Sequence, residues 1–467
     1  MSKHEVPGVY IEEVSAFPPP IVEVDSAVPA FVAYTSKATN AEPDDLRFKP
    51  TLVRSMRDVE ELFGDASVRG AVVHLTDTGG RPTVDRIDAP SAYYPIYFAL
   101  QMFFDNGGRR CYVTSVGAYS TSSPLTPELA ALTQGIGALA LEEDVTLIVV
   151  PEAPWLSVTD YTTLAATVLE QCRDRRDRFA IFDLFDGANP NVDLPTARAC
   201  FPDGRESMYG AVYYPDLGTT LTLPYVETPA TDGKRMTSNA SVRLNGSAPI
   251  DVASLAGASQ TQYDTAVAAV RGYRLTIPPS GAIAGVYVAN DAAHGVWQAP
   301  ANAPLASVFA PVVMLTSRQA ERLGVDPSGG KSVNTIRAFP GKGTLVWGAR
   351  TLAGNDAEWK YVPVRRFLTV IEQSITRSTR WAVFEPNNAN TWVRIRGVIE
   401  NYLTVKWRDG ALMGTTPREA FFIRCGLGDT MTAQDISDGR LIVDIGVAPV
   451  RPAEFVVIRI SHQVQAA

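Results

Sequence analysis

Between about Ser91 and Tyr214, short apolar runs alternate with stretches whose apolar residues recur every three to four positions. The runs Cys111–Val116, Val145–Val150, Phe179–Leu184 and Tyr209–Tyr214 carry apolar side chains on successive residues, with few polar interruptions. Neighbouring side chains on a strand point to opposite faces, so a run of this kind predicts a strand buried on both faces. The intervening stretches 92–106, 126–143 and 160–175 predict helices, the first closed by Gly107-Gly108. Strands and helices in alternation predict a buried, largely parallel α/β sheet.

Residues 218–250 are rich in Thr, Pro, Asn and Ser and suggest an excursion or small insertion. From Ile283 to about Leu352 the pattern breaks into short strand-like pieces punctuated by Gly and Pro. An amphipathic helix is predicted over Val364–Phe384, with Val364, Phe367, Leu368, Ile371 and Ile375 on one side and Arg366, Gln373, Arg377 and Arg380 on the other. A second helix starts near Thr391, capped by Asn390 or Thr391, and ends at Gly410. Strands follow over Ala420–Cys425, Arg440–Val447 and Glu454–Val464, with a short helical cap at Thr432–Asp435 between the first two.

The last of these strands alternates cleanly, with Val456, Ile458, Ile460 and Val464 on one face. The chain also begins with an extended segment, Pro7–Val14, set off by Pro18, Pro19 and Pro20 as a semi-rigid spacer. Strands with unpaired backbone groups must find partners, either within their own fold or on neighbouring molecules.

Composition is that of an ordinary globular protein: 467 residues, 46% hydrophobic and 20% charged, a length that suggests several domains. No apolar run is long enough to cross a bilayer, and Met1–Val6 lacks the apolar core of a secretory signal, so synthesis and first assembly are expected in a cytoplasm. The four cysteines are too widely spaced for a disulfide framework or zinc site, which predicts buried thiols. A net charge of −8 argues against nucleic acid as a partner. Within it, Trp359–Arg424 holds eleven Lys and Arg against five Asp and Glu, which suggests either a surface for an acidic partner or a solvated basic face.

Catalytic chemistry finds few candidates. Gly324–Ser332 misses the phosphate-loop spacing by one residue, and Gly135–Ala140 fits a dinucleotide pattern but lies late in a helix that precedes a strand, the reverse of the required order. Asp183 and Asp186 at a strand end could hold Mg²⁺, although Asp-Gly turn chemistry explains them as well. The four histidines share no ligand spacing, and no Gly-x-Ser-x-Gly elbow is present. The reading is of no catalytic residues, no metal and no cofactor.

The runs Asn390–Leu403, Trp407–Leu412, Glu419–Cys425, Gly439–Val443 and Gly446–Phe455 resemble the contractile tail sheath proteins, as do Pro7–Glu13, Pro278–Tyr287, Gly295–Asn302 and Asn334–Leu352. The likeness is weak between about 120 and 275. It implies an α/β (α+β) multi-domain subunit: an N-terminal linking arm (1–20), outer α/β domain(s) (21–345), an inner sheath domain (346–455) and a C-terminal arm strand (456–467). It further implies a homo-oligomer in stacked rings around an inner tube protein, with baseplate and cap proteins as further partners and no membrane insertion, in a phage tail or an extracellular injection particle. The arms would add strands to sheets of neighbouring subunits, which assigns Val9, Tyr10, Ile11, Val456, Ile458 and Ile460 to subunit linking. Arg366, Arg377 and Arg380 are expected to face the tube or a neighbour. Two rival readings stand beside this: a metal-dependent enzyme using Asp183 and Asp186, and a non-contractile polymerising scaffold.

Overall fold

A computed structural model describes residues 20–66, 71–88, 94–119, 127–229 and 236–454. They divide into two compact units: Asp25–Thr369 with the described residues from Arg451, and the described residues up to Val24 with Val370–Val450. The division falls at 369/370 and not at the expected 345/346, because the strands Val333–Phe339 and Gly343–Trp347 belong to the large sheet of the first unit.

That sheet has nine strands in the order Ala303–Pro304, Gly343–Trp347, Val333–Phe339, Gly210–Tyr214, Phe179–Asp183, Leu147–Val149, Pro29–Thr35, Cys111–Ala118 and Thr51–Val53. The six strands from Val333–Phe339 to Cys111–Ala118 pair in parallel, and the flanking strands are antiparallel. Alternate residues of each central strand enter different cores. Phe31, Ala33, Leu147, Val149, Ile181 and Tyr213 face the helices Ile96–Asp105 and Ser280–His294. Ala30, Val32, Ile148, Ala180, Phe182 and Val212 face Leu129–Ala138 and Val158–Arg175. Burial on both faces is why these strands are apolar at most positions.

Gly135 lets the helix Leu129–Ala138 lie close on this sheet, since a Cβ there would sit 2.5 Å from Val116 Cγ1 and 2.6 Å from Val32 Cγ1. Packing explains the dinucleotide-like spacing. The stretch 218–250 is not an isolated insertion, because Ser241–Leu244 pairs in parallel with Val72–Asp77 in a separate four-stranded sheet.

The strand-like reading of the region after Ile283 fails at its start. Ser280–His294 is a helix, buried from Ser280 to Val288. Its Gly, Ala and Val content mimics a strand, and a helix that is apolar all round shows no amphipathic period. A Cβ at Gly281 would lie 2.4 Å from Ala99 O, and one at Gly285 2.4 Å from Phe103 O, so both glycines admit the backbone of Ile96–Asp105.

The helix Val362–Ser378, whose residues fall on both sides of the 369/370 division, ends at Ser378 rather than Phe384; Arg380–Ala382 is a separate 3₁₀ turn. The next helix, Ala389–Arg408, begins earlier than expected, with Asn388 as the cap whose side chain accepts from Asn390 N and Thr391 N. Phe421–Arg424 and Asp444–Val447 form an antiparallel pair, and the helix Ala433–Ser437 between them carries a Thr432–Asp435 capping box.

Candidate functional site

The pair Phe421–Arg424 and Asp444–Val447 is a sheet of two strands, and no third strand joins it among the described residues. Two strands alone are marginal in water. Phe422 lies opposite Gly446 in the register, and a Cβ at Gly446 would sit 2.1 Å from the Phe422 ring, so the ring folds across the glycine. Phe422 remains half-exposed. Beside this strand a groove of about 570 Å³ is lined by Val393, Arg396, Gly397, Pro417 and Phe421, with open space above Gly397. Open strand edges beside a partly apolar groove can accept an extended segment through ladder hydrogen bonds.

The predicted linking residues Val9, Tyr10, Ile11, Val456, Ile458 and Ile460 lie outside the described residues. The backbone leading to each set is anchored. Val22 N and Val24 N donate to Ser378 Oγ and Ser374 Oγ, both at 3.1 Å, and Glu23 between them pairs with Lys406. Residues two apart on an extended chain repeat at about 6.7 Å, close to the 6 Å between helix positions i and i+4, so the two spacings match. At the other end, Glu454 receives a bidentate contact from Arg350 at 2.7 and 2.6 Å, supported by the Tyr361 hydroxyl at 3.3 Å.

Of the three arginines expected to face a partner, Arg366 does not. It is 3% exposed, donates to both carboxylate oxygens of Asp291 at 3.0 and 2.5 Å and to Ser26 O at 3.0 Å, and stacks on Tyr287. Helical period alone assigned it to the polar face, but a buried carboxylate on the helix Ser280–His294 draws it inward. Arg377 is half-buried on the same helix as Arg366, and Arg380 is exposed in the following turn, so the three do not form one continuous helical stripe.

The enzyme candidates resolve into structural roles. Asp183 is buried and accepts from Ser280 N and Ser280 Oγ, both at 2.6 Å, capping the helix Ser280–His294; burial pushes its carboxyl up to about 7. Asp186 sits at φ +60° and accepts from Asn189 Nδ2 at 2.6 Å, as a turn residue does. The loop 324–332 wraps around Asp326, which accepts from Ser328 N, Gly329 N and Lys331 N, while Lys331 pairs with Asp203 at 2.8 Å. Among the described residues no group of acids, histidines and cysteines could hold a metal ion, and all four cysteines are buried and free.

Sequence reading missed Ser374 and Ser378, since a serine on a helix face carries no signal until an extended segment is seen to lie along it. It also missed Glu152, fully buried after the strand Leu147–Val149, where burial pushes its carboxyl well above the usual range.

The phage tail sheath C-terminal domain family matches residues 355–463. The chain is 30% identical to the anti-feeding prophage helical sheath in its contracted state, covering 98% of this chain and 99% of that one, with a TM-score of 0.63. It is 27% identical to the PVC sheath complex of an extracellular contractile injection system, also contracted, covering 100% and 99% with a TM-score of 0.65. It is 26% identical over 128 residues to the tail sheath protein of Enterobacteria phage T4, a match that spans 27% of this chain and 19% of that protein.

Proposed function

Because the chain belongs to the contractile tail sheath family, we propose that it polymerises around an inner tube by strand exchange between subunits and drives that tube through a target envelope by contracting. The chain is a structural subunit of a phage-tail-like assembly. The inner tube, baseplate and cap proteins are its proposed partners, cytoplasmic synthesis its proposed origin, and no catalysis is assigned to it.

One observation carries this reading: the two-stranded sheet Phe421–Arg424/Asp444–Val447, which no third strand joins among the described residues. Residues 9–11 and 456–460 of neighbouring copies supply the missing strands. About five ladder hydrogen bonds at a net ~1 kcal/mol each give ~5 kcal/mol per link, modest alone but multiplied over a stack of rings. A head-to-tail contact that does not close makes a helical array. Backbone links hold connectivity while the bodies rotate, which is what contraction requires.

The test is deletion of residues 456–467. Soluble monomers are the expected product, and hollow ridged tubes by negative-stain microscopy from the truncated chain contradict the arm mechanism.

A further inference from the structure

The nine-stranded sheet reverses its winding beside Pro29–Thr35. From that strand the chain reaches Cys111–Ala118 on one side by way of the helix Ile96–Asp105 on one face. From the other neighbour, Leu147–Val149, it reaches Phe179–Asp183 by way of Val158–Arg175 on the opposite face. Connections that part in this way leave a crevice at the carboxyl ends of the two strands. Glu152 stands at that point, since the register that sets Phe31 opposite Val149, continued onward, brings it level with Tyr34.

Glu152 is 0% exposed, and neither carboxylate oxygen has a hydrogen-bond partner among the described residues. Its own backbone N–H and that of Tyr34 come near without hydrogen-bonding geometry. At the same strand ends buried Tyr94 packs with Tyr34, Tyr119 and Trp155, and stacks on Tyr119 with 4.5 Å between centroids. The charges acting on Tyr34 and Tyr119 come from Glu152, Glu128, Asp65 and neighbouring tyrosines, every one an acid. Arg47, beside Gly117, is engaged with Val116 O at 3.2 Å and stacks on Phe48. A carboxylate in this setting has no compensation, whereas a neutral carboxyl is far cheaper to bury. Glutamine has the same shape without the charge, so what the glutamate adds is a response to protons.

We propose that Glu152 is a proton-dependent latch at the carboxyl ends of Pro29–Thr35 and Leu147–Val149. Protonated, it stays buried and the cluster of Tyr34, Tyr94, Tyr119 and Trp155 stays closed; ionised, it leaves for water and the cluster opens. This goes beyond the sheath reading, because it concerns the fold of a single chain. An opened or unfolded chain ionises Glu152 near about pH 4.3, while the closed form keeps the proton to higher pH. The latch is therefore fully closed below about pH 4, and each pH unit above that favours opening by up to about tenfold until the closed form itself ionises.

Amide exchange at Tyr119, whose N–H donates to Thr35 O at 3.1 Å, reads the opening. In the full-length wild-type chain its protection, corrected for intrinsic exchange, is expected to fall by up to about tenfold per pH unit from about pH 5 upward. Near-UV circular dichroism of the tyrosines is expected to fade with it. Glu152→Gln is expected to hold both signals constant over the same range, and Glu152→Met, of similar length and without charge, to do likewise. A Glu152→Gln profile parallel to wild type overturns the latch. Failure of both variants to fold also overturns it, because Glu152 then supplies a contact that its shape alone does not.

Discussion

Arg366 and Asp291 form a bidentate ion pair inside the nine-stranded unit, with side chains only 3% and 5% exposed. Ser26 completes the arrangement, its hydroxyl donating to Asp291 at 2.6 Å and its carbonyl accepting from Arg366 at 3.0 Å. The pair ties the start of the first unit's chain to two of its helices.

Breaking one side of such a pair leaves a buried charge uncompensated. Arg366→Met or Asp291→Ala is expected to cost about 3–5 kcal/mol. Equilibrium urea denaturation of the full chain measures it, and a loss below about 1 kcal/mol contradicts the structural role.

The anchor ahead of the N-terminal segment rests on two hydroxyls. Replacing Ser374 and Ser378 together by alanine removes the acceptors of Val24 N and Val22 N, at about 1 kcal/mol for each hydrogen bond. Amide exchange at Val22 and Val24 is expected to rise while exchange within Ala389–Arg408 stays unchanged.

Helix crossing at Gly285 leaves no room for a methyl group, because the obstacle is the backbone oxygen of Phe103. Gly285→Ala is expected to destabilise by about 1–3 kcal/mol, the usual cost of overpacking. Gly137, where an added Cβ would meet nothing within 4 Å, is the control: Gly137→Ala is expected to be neutral or mildly stabilising on its helix. Thermal or urea unfolding of the two variants side by side checks the contrast.

The Asp183 carboxyl, raised to about 7 by burial, holds a proton in the folded protein that the unfolded chain releases near pH 4. Its contribution to stability is fully present below about pH 4 and drains as pH rises toward 7, at up to about 1.4 kcal/mol per pH unit. Asp183→Asn keeps an acceptor for Ser280 N–H and is expected to flatten the stability profile between pH 4 and 7. An unchanged slope in urea titrations across that range contradicts the assignment.

The alternation of Leu147 with Ile148, or of Ile181 with Phe182, needed only adjacent apolar residues to announce a sheet covered on both sides, and the crossover helices followed from their own period. The cap logic at Thr432–Asp435 and the stop at Gly410 were equally local. The resemblance carried by Asn390–Leu403 and its companion runs named the family without any coordinates. All of these are properties of a few consecutive residues, which is the range over which propensity and pattern act.

Tertiary packing decided the rest. Ser280–His294 became a helix because two glycines let another backbone come close, a condition written in distant residues such as Ala99 and Phe103. Arg366 turned inward because a carboxylate from another helix compensates its burial, so its place on a helical wheel was a poor guide to its surroundings. The serines under Val22 and Val24 and the two-stranded sheet around Phe422 likewise depend on which segments meet. A linear pattern determines which face of an element is apolar; only the assembled chain determines what lies against it.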